Sequence, residues 1–415
     1  MNDPNGRIGK REPGGVRALF RRAEFLPYFV TRNATWLAYS IEDVAVAWQI
    51  FSIRHLPFDL GIVGLLLFLP QLVLALPAGY LADHADRRTI SIVVPFLEML
   101  SLGLFVALAA LHVTSLMINF SVVLLIGIVH SFGSPAQRSL LPTIVEPVDY
   151  VRASALVSST AQVITIAGPA IAGLLIAVST PAAFAVAAVF YGFSALAASF
   201  LRPRPSAATH SESLWQSAIG GVHFIFSQKA ILGAISLDLF AVLFGGATSL
   251  LPAFATQILH VGATGFGLLR AAPGAGAALV ALAVTRRPIR RHAGATLFVV
   301  VAGFGIFTIV FGLSTMFWIS LLALAFTGAF DMVSMVIRGA LVQLTTPNAM
   351  RGRVAAVEGV FIGASNDLGA FESGMVAAFA GARASVIFGG CATLVVIALW
   401  AYLFPALRAF DRLEE

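Results

Sequence analysis

The sequence predicts an all-α polytopic membrane protein of twelve transmembrane helices in two six-helix pseudo-repeats. Three observations carry that prediction. Of 415 residues, 59% are hydrophobic and 11% charged, with a mean hydropathy of +0.91, whereas soluble domains carry about 25% charge. Long apolar runs recur along the whole chain, each able to cross ~30 Å of hydrocarbon at ~1.5 Å per residue. Short motifs also repeat between the two halves. The composition alone excludes a soluble enzyme.

The apolar runs cover 25–53, 60–80, 90–111, 117–138, 153–178, 181–201, 230–257, 264–284, 295–313, 317–338, 354–380 and 385–407. Basic residues fix their direction. Arg7, Lys10, Arg11, Arg17, Arg21 and Arg22 precede the first span, and Arg or Lys recurs in every second loop at 87/88, 138/152, 202/204/229, 286/287/290/291 and 338/351/353. The opposite loops hold only Arg54 and Arg383. Positive residues collect on the cytoplasmic side, so both termini are expected in the cytoplasm of a bacterial cell with the chain in its inner membrane. The formal charge of +6 then reports orientation and contact with anionic lipid rather than nucleic acid. The polar, Gly-containing N-terminus lacks a signal peptide's apolar core and cleavage site, so the first span is expected to act as the insertion signal.

Cys391 is the only cysteine, which rules out disulfides within the chain and thiolate metal clusters. No metal and no organic cofactor is expected. No Walker A sequence is present, so ATP is not the direct energy source. The eight histidines are scattered rather than grouped, which argues against a polytopic membrane enzyme.

The longest hydrophilic interval divides the chain. The expected organisation is a cytoplasmic N-terminal segment 1–24, a six-helix bundle 25–201, a cytoplasmic central loop 202–229, a second bundle 230–407 and a cytoplasmic tail 408–415. Gly64 to Pro70 and Gly267 to Pro273 share one spacing, and each Pro lies 17 residues before an Arg-Arg pair, Arg87-Arg88 or Arg290-Arg291. Arg138, Pro147 and Ala155 match Arg338, Pro347 and Ala355 at a constant offset of 200. Two related halves in parallel topology place a substrate path between them.

Gly79-x-Leu81-Ala82-Asp83-x-x-x-Arg87-Arg88 resembles the loop between helices 2 and 3 of the major facilitator superfamily of secondary transporters. The resemblance implies the major facilitator fold and a cytoplasmic latch made by Gly79, Asp83, Arg87 and Arg88. Asp86 stands where the family pattern has Gly, and His84 replaces one family Arg. Ala47-Trp48-Gln49, the run Leu60 to Pro70, Asp331 to Arg338, Arg351-Gly352-Arg353-Val354, and Asn366 to Gly374 resemble the enterobactin-exporter-like branch of that superfamily. Gly168, Pro169 and Gly173 form a helix-5 packing motif that, in the resembled family, is typical of proton-coupled exporters and seals the periplasmic side. Small residues there let two backbones approach closely. The drug-antiporter members usually place an Arg inside helix 4, and 117–137 contains none.

Charges that the apolar runs cannot avoid are the candidate transport residues. They are Arg32, Glu42 and Asp43 in span 1, Glu98 in span 3, Asp238 in span 7, Arg270 in span 8, Asp331 in span 10, and Glu358, Asp367 and Glu372 in span 11. A charge at mid-membrane costs ~2.5–3.5 kcal/mol on insertion scales, so it faces a wet cavity or an ionic partner. Eight of these residues are acidic and two basic, so some carboxyls must be neutral or wet. Counting ~1.5 Å per residue puts Asp43, Asp367 and Arg270 in an outer layer and Arg32, Asp238 and Asp331 in an inner one. Arg32 and Asp43, about three turns apart, fall on one face of span 1, expected to look into the cavity. Trp36, Tyr39, Trp48, Phe240 and Phe244 are candidates to line it.

These residues together point to a proton-coupled exporter of a siderophore-like or amphiphilic small molecule, acting by alternating access as a monomer in the bilayer. Asp43 is the expected proton carrier. An importer, or a non-transporting membrane receptor or secretion accessory protein of the same fold, is the alternative.

Overall fold

The computed structural model describes residues 19–202, 214–287, 291–347 and 350–411. All its elements are helices. Twelve of them serve as the spans: α1 Phe25–Arg54, α2 Pro57–His84, α3 Arg87–Ala110, α4 Leu116–Ile144, α5 Pro147–Val178, α6 Thr180–Ser199, α7 Lys229–Phe244, α8 Gly262–Arg286, α9 Ala293–Leu313, α10 Phe317–Thr345, α11 Arg351–Ala380 and α12 Ala382–Leu403. In lipid a helix satisfies every backbone group within its own segment, which is why these apolar runs adopt no other form. An even number of crossings brings both described ends of the chain to one side of the molecule, called here the terminal end.

Ten of the membrane-length helices are also apolar enough to span by composition alone. The two left out are α1 and α11, whose hydropathy is lowered by Glu42, Asp43, Glu358, Asp367 and Glu372. These two carry most of the interior charge, which is what keeps them below that criterion.

Several helices outrun the apolar runs that announced them. α4 continues to Ile144, α5 starts at Pro147 and α10 continues to Thr345, because propensity and hydrogen bonding carry a helix past the edge of the hydrocarbon. Arg338 therefore sits inside α10, and the expectation that it belongs to a loop is corrected. The central loop also holds a helix, Leu214–Ser227, packed on α11. The seventh span is not one α-helix: α7 stops at the Gly245-Gly246 pair, a 3₁₀ turn covers Ala247–Leu250, and Phe254–Ile258 is π-helical.

Within the first half, α6 packs on α3 and α1, α2 on α4, and α1 on α5; within the second, α8 and α9 pack on α10, α9 on α12, and α7 on α11. The halves meet along two seams, α2 against α11 and α5 against α8. Both seams depend on absent side chains. A Cβ on Gly374 would lie 2.6 Å from the Cα of Gly61, and one on Gly173 would lie 2.8 Å from the Cα of Gly267. The repeated Gly64 and Gly267 occupy equivalent places. The first abuts Asp367 and Ala370 of α11, the second Pro169 and Gly173 of α5. The sequence repeat is thus the seam itself, seen once in each half.

Candidate functional site

These close contacts fall near the end away from the termini, where α2 and α8 begin and α5 and α11 finish. Gln257, in the π-helical turn, adds a bridge there by donating to the His55 carbonyl at 2.9 Å, and the Trp48 ring stacks on Phe266 across the halves at 5.7 Å. Toward the terminal end the seam loosens. A Cβ on Gly363 would meet only Gln71, at 3.9 Å. Between the halves lies a cavity of about 1020 Å³, lined by α1, α2, α4, α7, α8, α9, α10 and α11 together with the 245–249 turn. The close contacts lie across its far end, and its lining continues toward the terminal end as far as Ala78 of α2 and Gly359 of α11.

Five charged residues line this cavity: Glu42, Asp43, Arg270, Asp331 and Asp367. His130 joins them. Asp43 and Arg270 form an ion pair that crosses from one half to the other, Arg270 Nη2 donating to Asp43 Oδ2 at 2.6 Å. Asp367 faces the same space, on the stretch of α11 that abuts Gly64. Tyr39 is the one candidate aromatic that lines the cavity, and its ring lies 4.9 Å from that of His130.

The remaining candidate charges are placed elsewhere. Asp238, 8% exposed, pairs with Arg338, whose Nε also reaches Glu358 Oε1 at 3.1 Å. This buried triad ties α7, α10 and α11 together inside the second half. Arg32 is not among the lining residues; its guanidinium sits over the Trp36 ring, 5.3 Å from the centroid. The expected shared face of Arg32 and Asp43 therefore does not look into the cavity along its whole length. Glu372 lies past the seam contact at Phe371, where Ser373 Oγ approaches its Oε2 at 3.4 Å. Phe240 packs on Phe244 and Trp400 within the second half.

The 76–88 motif is partly visible. Gly79 lies within α2, and the side chain of Asp83 falls outside the described residues. Asp86 caps α3, accepting from the Arg88 backbone N–H at 3.0 Å and from Thr89 Oγ1 at 3.2 Å. Arg88 donates to the Ser199 carbonyl at the end of α6. The helix-5 motif faces protein rather than lipid: a Cβ on Gly168 would strike Ser40 of α1 at 2.6 Å, and Pro169 backs onto Gly267.

Reading the charges one by one misses three groups. Arg338 supplies a third interior cation, hidden because it closes an apolar run. His130 and Tyr191 stand in apolar stretches with nothing local to mark them. Glu42 Oε2 accepts from the Tyr191 hydroxyl at 2.6 Å, and Glu98 Oε1 lies 3.5 Å from His130 Nδ1.

Two six-helix halves around a charged central cavity are the architecture of a secondary transporter. Residues 17–415 match the family described as transmembrane secretion effector, and the chain belongs to that family, within the major facilitator superfamily. It is similar to enterobactin exporters of Citrobacter koseri, 26% identical with 93% of each chain covered, and of Shigella boydii serotype 18, 27% identical with 90% of this chain and 92% of the relative covered. Solved structures of low identity share the fold. The nucleoside transporter NupG gives a TM-score of 0.72 at 14% identity, covering 91% of this chain and 99% of its own. An inward-facing bacterial homologue of ferroportin gives 0.68 at 13%, covering 94% and 100%. The protein is a multi-pass membrane transporter for a small molecule and not an enzyme.

Proposed function

We propose that this protein is a proton-coupled exporter of an amphiphilic small molecule, working by alternating access in the bacterial inner membrane with both termini cytoplasmic, as a monomer and without a cofactor. The observation that carries the reading is the Asp43–Arg270 pair, which joins the two halves at the wall of the cavity between them. A proton on Asp43 removes its charge and with it much of the attraction to Arg270, so proton binding weakens a contact that belongs to one of two arrangements of the halves. Asp367 faces the same cavity and is the second candidate to carry the proton.

The lining also bears on the cargo. Four carboxyls face one guanidinium, and the rest is largely apolar, with Tyr39, Phe68, Phe266 and Phe304 among it. A cavity of this kind favours a molecule with apolar bulk and hydrogen-bond donors or positive charge, and it disfavours a polyanion. The similarity to enterobactin exporters supports a siderophore-like cargo provided that it enters without large negative charge.

The test is uptake of labelled metal-free siderophores and amphiphilic amines into inverted vesicles with an acid lumen. Accumulation of one of them, abolished by a protonophore, is the expected result. Accumulation indifferent to the gradient would remove proton coupling, and accumulation only in vesicles of the opposite orientation would make the protein an importer.

A further inference from the structure

Coupling at the seam leaves two carboxyls inside the first half without a role. Glu98, on α3, is 1% exposed, and neither of its carboxylate oxygens has a hydrogen-bond partner among the described residues. The base in reach is His130, on α4, with Nδ1 3.5 Å from Glu98 Oε1. His130 also lines the cavity, so it stands between Glu98 and the transport path. Glu42, 3% exposed, lines the cavity too and is held by the Tyr191 hydroxyl.

The second half solves the same problem differently. There, Asp238 and Glu358 share the permanent charge of Arg338. In the first half no Arg or Lys forms an ion pair with Glu42 or Glu98 among the described residues. An ionised carboxylate at 1% exposure without a hydrogen-bond donor carries a desolvation penalty of several kcal/mol. Glu98 therefore has to hold a proton or share one with His130.

We infer that Glu98 and His130 form a proton-binding site of the first half, reached from the cavity through His130. The imidazole takes a proton from the cavity, and the proton on Nδ1 passes to Glu98 Oε1. Imidazolium and carboxylate become neutral imidazole and carboxylic acid, with no other bond changed. The groups facing this site are Tyr39 and Glu42 on α1, Tyr191 on α6 and Asp367 on α11, all of them acidic or neutral. Loading Glu98 lowers the negative charge behind Glu42 at the cavity wall, and that makes the site a second handle on cargo binding. The inference rests on the proton-coupled reading for its purpose, but not for its existence.

The experiment separates the two. Infrared spectra of the purified full chain in nanodiscs, without cargo, report protonated buried carboxyls through their C=O stretch. The site predicts one such band that disappears in Glu98→Gln. It also predicts that in His130→Gln the band remains while its hydrogen–deuterium exchange slows roughly a hundredfold, the contribution of a positioned proton-transfer group. A band unchanged by Glu98→Gln, or an exchange rate unchanged by His130→Gln, overturns the inference. If both infrared effects are found and wild-type flux ignores the pH gradient, the site stands and the coupling reading falls.

Discussion

Arg338 shows how one residue holds the second half together. Its guanidinium, 4% exposed, meets Asp238 and Glu358 from two other helices. Removing one member of such a cluster strands the others, a loss of ~3–5 kcal/mol, whereas replacing a whole buried cluster with apolar groups is often nearly neutral. Arg338→Gln is therefore expected to lower the thermal unfolding midpoint in detergent by several degrees. Arg338→Met combined with Asp238→Leu and Glu358→Leu should recover most of that loss. An unchanged midpoint in Arg338→Gln would show that the triad is not structural. The interior charges themselves were legible in the sequence because hydrocarbon tolerates none without a reason. Their partners were not. Asp43 meets Arg270 and Asp238 meets Arg338 only because distant helices pack, and Arg338 was hidden because an apolar run ends where a helix does not.

At the level of elements, the seam helices explain the glycines. At Gly173 an added Cβ meets backbone atoms of α8, Ala263 O at 2.7 Å and Gly267 Cα at 2.8 Å, and backbone cannot step aside as a long side chain can. Gly173→Leu should arrest transport or leave the far end leaking, read as increased labelling of a cysteine placed near His55. Gly168→Leu should behave similarly through α1. Gly103→Leu, with open space around its Cβ position, serves as the matched control and should transport normally. Full activity in Gly173→Leu would show that α5 and α8 do not need this approach. The Gly-x5-Pro repeat was visible in the sequence as spacing, and the two-half plan followed from it. Its physical content, one seam per copy, needed the packing. The break in the seventh span escaped because its apolar run is continuous across Gly245-Gly246, and hydropathy says nothing about whether a turn is α, 3₁₀ or π.

For the whole molecule, close contacts across the far end and a looser seam at the terminal end describe one of two arrangements that alternating access requires. The Gly79–Arg88 motif, at the junction of α2 and α3, is expected to act in the other, where the terminal end closes. Asp83→Asn should accordingly lose most transport while expression and thermal stability change little; wild-type flux in that variant would remove the latch. Twelve crossings and two halves were legible from composition, spacing and charge, because the bilayer imposes them on any chain of this kind. Cargo was not, since a cavity wall is assembled from single residues on eight helices.

The central claim is that a proton acts on the pair that joins the halves. Asp43→Asn in proteoliposomes tests it when driven accumulation under a pH gradient and cargo exchange at equal pH are measured side by side. The account predicts that driven accumulation is lost while exchange persists. Normal pH-dependent accumulation by Asp43→Asn would contradict it and move the coupling role to Asp367.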